Sequence, residues 1–307
     1  MSPPSQIVLG ESGLFDPTAP LTPSGNLRRR SVVDRLIQVT ATAAALAAVV
    51  VLAIIVISVI QHGASSLSLG FVIHNPQGLA GGGIANSLLG TLEIVAAGAV
   101  VAMPLGILTG LYLTEFAGPR SRTARILKLA LDMMQGLPTI VVGLFVFGLI
   151  VLPEHRPSGF AGAIALSIVM LPLIARSSQE VLLLVPGSLR EAADALGVNR
   201  WRTVLTVILP AATGGIVTGA ILATARAAGE TAPLLIADGI YNPNSTSFDL
   251  FHGMASIPMF IYTSYDLPLT QAVSRAWAAA LVLMGFILIA NIGARAFLAR
   301  SRAKMGP

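Results

Sequence analysis

The sequence contains no cysteine, which excludes a disulfide framework and any thiolate-held metal centre. Charge is scarce as well: 11% of the 307 residues are Asp, Glu, Lys or Arg, where a soluble globular chain carries about 25%. Lysine occurs only at Lys128 and Lys304, and neither follows glycine, so the chain has no GxxxxGK[ST] phosphate loop. Histidine is confined to His62, His74, His155 and His252. Their spacing is not that of metal ligands, and they are expected to face solvent in external loops. No Ser/His/Asp arrangement and no HExxH motif lies in an apolar stretch, so an intramembrane protease has no support.

What the sequence has in quantity is apolar side chains, 54% of the total, with a mean hydropathy of +0.81. Six runs are long and apolar enough to be read as membrane spans: Leu36–Ile60, Ile84–Thr114, Ile126–Leu152, Phe160–Ala175, Val207–Ala237 and Ala276–Leu298. About 20 helical residues cross a bilayer core, so the fourth is short and the others ample. The expected fold class is an all-α polytopic membrane protein of six transmembrane helices. Residues 1–30, rich in Pro, Ser and Gly at the start, are expected to be a disordered cytoplasmic tail. Residues 31–62 form the first span and 80–300 the main transmembrane domain. No apolar core follows closely on the start, so a cleaved signal peptide is not expected.

The basic residues orient these spans. Of the 19 Lys and Arg, four precede the first span, four fall between spans two and three, four between spans four and five, and four after Arg295 begins the tail. The opposite loops hold Arg156 and Arg275. Lys and Arg accumulate on the cytoplasmic side, which puts both termini and the loop at 188–210 in the cytoplasm. The net charge of +5 is therefore a topology signal, with the lipid bilayer and not nucleic acid as the partner. The glycine run from Gly78 to Gly83 follows no strand and does not read as a phosphate cradle.

Ionisable groups inside a span cost about 2.5–3.5 kcal/mol each on insertion scales and mark function by default. The fifth run reads Ala225-Arg226-Ala227-Ala228-Gly229-Glu230-Thr231-Ala232-Pro233. The four-residue spacing places Arg226 and Glu230 on one helical face, able to pair. A guanidinium stays charged and presents a planar fork of donors suited to phosphate-like oxyanions. A neighbouring carboxylate would keep that binding weak enough for release. Glu93 is expected to be a buried hydrogen-bonding group at a helix interface, and Asp132 to pair with Arg125 or Lys128. Pro138 would break the third span.

Between spans four and five, Ser188-Leu189-Arg190-Glu191-Ala192-Ala193-Asp194-Ala195-Leu196-Gly197 reads as a capped helix. Ser188 and Glu191 would form a capping box, and Gly197 would supply the left-handed stop. Asn199 would cap a second helix from Arg200 through Val207, and Pro210 would kink the chain where it becomes continuously apolar.

Glu191, Ala192 and Ala193, Gly197 six residues after the Glu, and Leu209-Pro210 near the end resemble the EAA loop of bacterial ABC-transporter permeases, Val207 standing where that family usually has Ile. The segment from Arg226 to Pro233 resembles the intramembrane RxxxGETAP run of the phosphate-specific permeases of the PstA type. Leu171 to Ser177, with Arg176, and Asp132 to Val141 follow the pattern of the same family. The likeness covers residues 80–300. It implies a type I ABC importer permease fold, in which the 188–210 loop docks into an ATPase subunit and Arg226, Glu230 and Arg176 lie along the substrate pathway. It further implies a bacterial inner-membrane permease subunit importing inorganic phosphate with four partner subunits. These are a second permease of the PstC type, two ATP-binding subunits of the PstB type holding the ATP and Mg, and an external binding protein of the PstS type. No cofactor is expected in this chain. A permease for sulfate or molybdate, and more distantly an ATP-independent secondary transporter, are the alternatives.

Overall fold

The computed structural model describes residues 27–78, 81–118, 120–239 and 248–304. Most of the N-terminal tail expected at 1–30, residues 1–26, lies outside them. The chain divides into two units, Met1–Val56 and Ile57–Pro307. Helix α1 spans Leu27–Gly63, so the helix takes in the last four residues of the expected tail. Its side chains along the first unit are almost all exposed, as suits a span facing lipid.

The second unit is built from helices of alternating direction. After the short α2 (Leu69–Ile73) and a two-stranded hairpin, β1 (Pro76–Gln77) with β2 (Gly81–Gly82), comes α3 (Ala85–Leu111). A π turn over Tyr112–Phe116 extends it. The third span is broken into α4 (Arg122–Gly136) and α5 (Thr139–Val146), which meet at 103°. Leu137 and Pro138 form the break. Proline disfavours helix at the residue before it, and Leu137 is extended at φ −71° and ψ 133°. A π turn carries α5 into α6 (Leu152–Glu154).

Helix α7 runs Gly159–Leu183, two turns beyond the expected end at Ala175, because nothing between Arg176 and Leu183 breaks a helix. Two short helices follow, α8 (Gly187–Ala195) and α9 (Arg200–Thr203), then α10 (Leu209–Ala227) and α11 (Ala232–Ala237). The chain closes with α12 (Ile257–Tyr265) and α13 (Thr270–Lys304). Among the described residues five helices are long and apolar enough to cross a membrane, and the bent α4–α5 pair, taken as one span, makes a sixth, in agreement with the six runs read from the sequence. Pro210 does not interrupt the helix. Five-residue hydrogen bonds over Val204–Ile208, ending with Leu209 N–H on the Val204 carbonyl, absorb the missing donor of Pro210 and leave the helix continuous from Arg200 to Ala227.

Glycine sets how closely these helices approach. A methyl group at Gly98 would stand 2.8 Å from the Ala163 carbonyl, at Gly106 2.9 Å from Ile174 Cβ, and at Gly110 2.9 Å from Ser178 Cβ. The constant sequence offset of these contacts means that α3 and α7 run parallel, backbone against backbone, as small residues permit in membranes. Ile94, Leu166, Met170, Ile174 and Leu234, each at most 1% exposed, pack around that seam. The segment from Ile257 to Ile261, for which the sequence left open an interfacial or re-entrant course, forms the start of α12. Ile257 there is fully buried and its N–H donates to Thr91 Oγ1 at 2.8 Å. Two other readings change. His62 is helical and stacks on Trp277 with ring centres 5.0 Å apart. Arg275 lies inside α13 and is buried, so neither is a loop residue.

Candidate translocation site and coupling loop

Two helix breaks face one cavity of about 270 Å³. One wall comes from the α4–α5 break, through Gln135, Leu137 and Thr139, and α7 contributes Pro172. The other comes from the end of α10 and brings Arg226 and Glu230. The break after α10 has a local cause. Pro233, near the start of α11, cannot donate to the preceding turn and crowds it. The chain therefore tightens over Ala228–Glu230 into three-residue hydrogen bonds, Gly229 N–H to the Arg226 carbonyl at 3.1 Å and Glu230 N–H to the Ala227 carbonyl at 3.0 Å.

That tightening corrects one expectation. Arg226 and Glu230 share the cavity but not a helical face, and among the described residues neither side chain makes an ion pair. The four-residue rule holds only while the 3.6-residue helix continues, and α10 ends at Ala227. Arg226 is exposed and lines the cavity, and among the described residues no group pairs with its guanidinium.

Arg176 sits one turn further along α7. Its Nη2 pairs with Asp132 Oδ1 and its Nη1 donates to Gln179 Oε1 at 3.3 Å. Asp132 thus finds Arg176, and not Arg125 or Lys128, because α4 and α7 pack antiparallel and bring residue 132 level with 176. Gln135 Nε2 reaches the Pro172 carbonyl at 3.4 Å in the same register. Glu93 lies in α3 with Oε2 buried and without a hydrogen-bond partner. It therefore lacks the satisfied interface role expected of it.

The coupling loop keeps its outline and changes its start. Helix α8 begins at Gly187 after Pro186, with no side-chain cap. Ser188 is already inside the first turn, so the Ser188–Glu191 capping box does not form. The stop is as expected: Gly197 adopts φ +67°, Val198 N–H donates to the Ala193 carbonyl and Gly197 N–H to the Asp194 carbonyl, both at 3.0 Å. These are the paired bonds of a Schellman ending. Asn199 Oδ1 then caps α9 by accepting from Trp201 N–H at 3.1 Å. Glu191 and Ala192 are exposed, Ala193 is buried, Leu209 is half-buried and Pro210 exposed.

A residue that sequence reasoning missed anchors this loop. Glu115, in the π turn that ends α3, has a fully buried side chain. Its Oε1 accepts from Arg190 Nη2 at 2.7 Å and its Oε2 from Arg200 Nη2 at 3.0 Å. Arg200 Nε also donates to the Glu115 carbonyl at 3.1 Å. Arg190 reaches back to the Val185 and Leu182 carbonyls at 2.7 and 2.9 Å, and Trp201 lies over Phe116 with ring centres 4.4 Å apart. One carboxylate thus holds both helices of the loop and the end of α7. The only signal in the sequence was a lone acid at the basic end of the second span, and its partners lie 75 and 85 residues away.

Parallel α3 and α7, a broken third span and a helical loop between two spans define the architecture of a membrane permease. Solved structures agree on the fold. The chain superposes on the MetNI methionine ABC transporter with a TM-score of 0.54 at 18% identity, covering 71% of this chain and 94% of that one. An amino acid ABC transporter gives 0.52 at 16% identity, covering 72% and 93%. Residues 102–303 match the family described as binding-protein-dependent transport system inner membrane component, and the chain belongs to that family. Its relatives include the phosphate transport system permease protein PstA of Haemophilus influenzae, 38% identical over 244 residues, which are 79% of this chain and 86% of that protein. PstA 1 of Mycobacterium tuberculosis is 42% identical over 215 residues, 69% of each chain. PstA of Yersinia pestis is 38% identical over 250 residues, 81% of this chain and 84% of that one.

Proposed function

We infer that this chain is a PstA-type permease subunit of an ABC importer that carries inorganic phosphate across the inner membrane. The observation that carries the reading is Arg226, a cation that has no carboxylate partner among the described residues and lines the wall of a cavity between two broken helices. A free guanidinium there offers two parallel donors to a passing oxyanion. Glu230, on the same wall but unpaired with Arg226, weakens the hold by repulsion so that the anion leaves again. Gln135 and Thr139 supply neutral hydrogen-bonding groups. Arg176, held by Asp132, stands nearer the coupling loop and would meet the anion on its way to the cytoplasm.

Both termini and the loop at 188–210 are read as cytoplasmic. Glu191, Ala192 and Ala193 on α8, Gly197 at the corner and Leu209-Pro210 would form the surface that a PstB-type ATPase grips. Exposed Leu196 and Trp201, 81% and 60% accessible, give that partner apolar anchors. ATP and Mg would be held by two such subunits and none by this chain. A PstC-type permease would complete the pathway and a PstS-type protein would deliver phosphate from outside. Closure of the ATPases would displace α8 and α9, and Glu115 would pass that displacement to α3 and α7 as one rigid body.

The test is uptake of labelled phosphate by the complete complex in liposomes with its binding protein, run against labelled sulfate. Arg226→Gln should abolish phosphate uptake while ATP hydrolysis continues, and Glu191→Lys should abolish both. Uptake of sulfate in place of phosphate would overturn the substrate assignment, and hydrolysis unaffected by Glu191→Lys would overturn the docking surface.

A further inference from the structure

A larger cavity, of about 710 Å³, lies far from both regions described above. Thr218 Oγ1 on α10 donates to the Ala294 carbonyl of α13 at 3.3 Å, and Gly229 faces Ile287. The two helices are therefore antiparallel, and the Thr270 end of α13 projects away from the coupling loop. The cavity opens at that end, between the first turns of α13, the hairpin and the segment after α1.

Its chemistry is one-sided. The lining offers the Ser66 and Ser68 hydroxyls, the Gln77 and Gln271 amides and the Arg275 guanidinium, and it contains no Asp or Glu. Ser68 Oγ accepts from Phe71 N–H at 3.1 Å, which leaves its proton to donate elsewhere. The first-turn N–H groups of α13 precede its first helical bond, Val273 N–H to the Leu269 carbonyl, and favour an anion at that end.

Arg275 is the decisive residue. It is 8% exposed. Nη2 makes one long bond to the Gly83 carbonyl at 3.3 Å, Nε has no partner, and the guanidinium lies 5.3 Å from the centre of the Phe260 ring. Among the described residues no carboxylate pairs with it. A buried charge without a counter-ion is expensive, and here it borders a cavity made of donors. We propose that this cavity holds a phosphate-type oxyanion, with Arg275 as its charge partner. The volume falls in the range of about 300–1,000 Å³ typical of small-molecule sites. It suits a phosphate carried on a larger body, as in an anionic phospholipid headgroup; soluble inorganic phosphate is the other source of the same chemistry. The proposal does not depend on what Arg226 transports.

The experiment uses the complete complex purified in neutral detergent. Co-purifying phosphatidylglycerol is counted by lipid mass spectrometry, and bound labelled inorganic phosphate is measured on the same samples. Arg275→Gln should weaken one of the two about tenfold or more, the size of one hydrogen bond to a charged group. Gln271→Leu should weaken the same one less. Loss of lipid alone identifies a headgroup, and loss of phosphate alone identifies the free ion. A folded Arg275→Gln complex that retains both overturns the proposal. Should Arg275→Gln fail to assemble, Gln271→Leu and Ser66→Leu decide, and unchanged lipid and phosphate in both also overturns it.

Discussion

Replacing Glu115 by Gln removes one charge and almost no volume, and its effect can be worked out from the contacts. The buried carboxylate takes two short charge-assisted bonds, from Arg190 at 2.7 Å and Arg200 at 3.0 Å. Hydrogen bonds to charged groups contribute about 1.5–3 kcal/mol each. Gln keeps one oxygen acceptor but turns an N–H₂ donor toward the other arginine, so at least one bond is lost and a donor is left facing a cation. Arg190, 20% exposed, feels most of this, whereas Arg200, 38% exposed, recovers part of its loss from water. The sum is about 2–4 kcal/mol, within the range for breaking a buried ion pair. Thermal melts of the purified complex should fall accordingly, and hydrolysis should continue while uptake per ATP declines, because the loop can move without pulling α3. A double-mutant cycle with Arg200→Gln isolates the pair. A coupling energy above about 1 kcal/mol is expected, and additivity within about 0.5 kcal/mol would refute the reasoning.

Other predictions concern separate parts of the chain. Exchanging the partners in Arg176→Asp with Asp132→Arg should recover the stability that Arg176→Asp alone loses, about 1 kcal/mol or less for so exposed a pair. Uptake should stay impaired, and full recovery of uptake would make Arg176 purely structural. Gly197→Ala forces a side chain into the left-handed region at φ +67° at a cost of about 1–2 kcal/mol. Gly197→Asn should cost clearly less, and equal melting temperatures for the two would refute the strain. Asp238, buried behind α11 and with no partner for Oδ2 among the described residues, has its carboxyl pushed up to about 7 from the usual 3.8 by burial, partly offset by the bond from Met254 N–H. The folded state therefore holds that proton more tightly than the unfolded one. The stability this gives is complete at low pH and is lost as pH rises through about 4 to 7, by at most about 1.4 kcal/mol per pH unit. Asp238→Asn should flatten that dependence, and parallel melting curves for the two proteins between about pH 5 and pH 8 would count against it.

Much of the fold is legible because apolar runs are long-range statistics that survive local detail. The six spans, the glycine stop at Gly197 and the Asn199 cap all followed from residue chemistry within one or two turns. The failures share a cause. The pattern fits a cap at Ser188, but Pro186 takes the cap position and starts the helix two residues too early for it. Arg226 and Glu230 were paired on a helix that Pro233 ends between them. Asp132, Glu115 and Arg275 depend on which helices lie side by side, and spacing along the chain carries no such information. The residues proposed for the pathway are nameable from sequence, whereas the contacts that position them are not.

Leu137-Pro138 and Ala228–Thr231 interrupt different spans, yet they border one cavity, and Gly143 of α5 sits so near Pro233 of α11 that a methyl group there would stand 2.8 Å from its Cα. Where intact helices would present only closed backbone and alkyl groups, four helix ends lie at or beside this cavity. For a multivalent anion the barrier to crossing is the thickness of low-dielectric material in its way, since self-energy is paid over that thickness alone. Polar helix ends gathered around one cavity thin the low-dielectric material that an anion must cross. The insulating layer is then thinnest along the line that passes the cavity lined by Arg226.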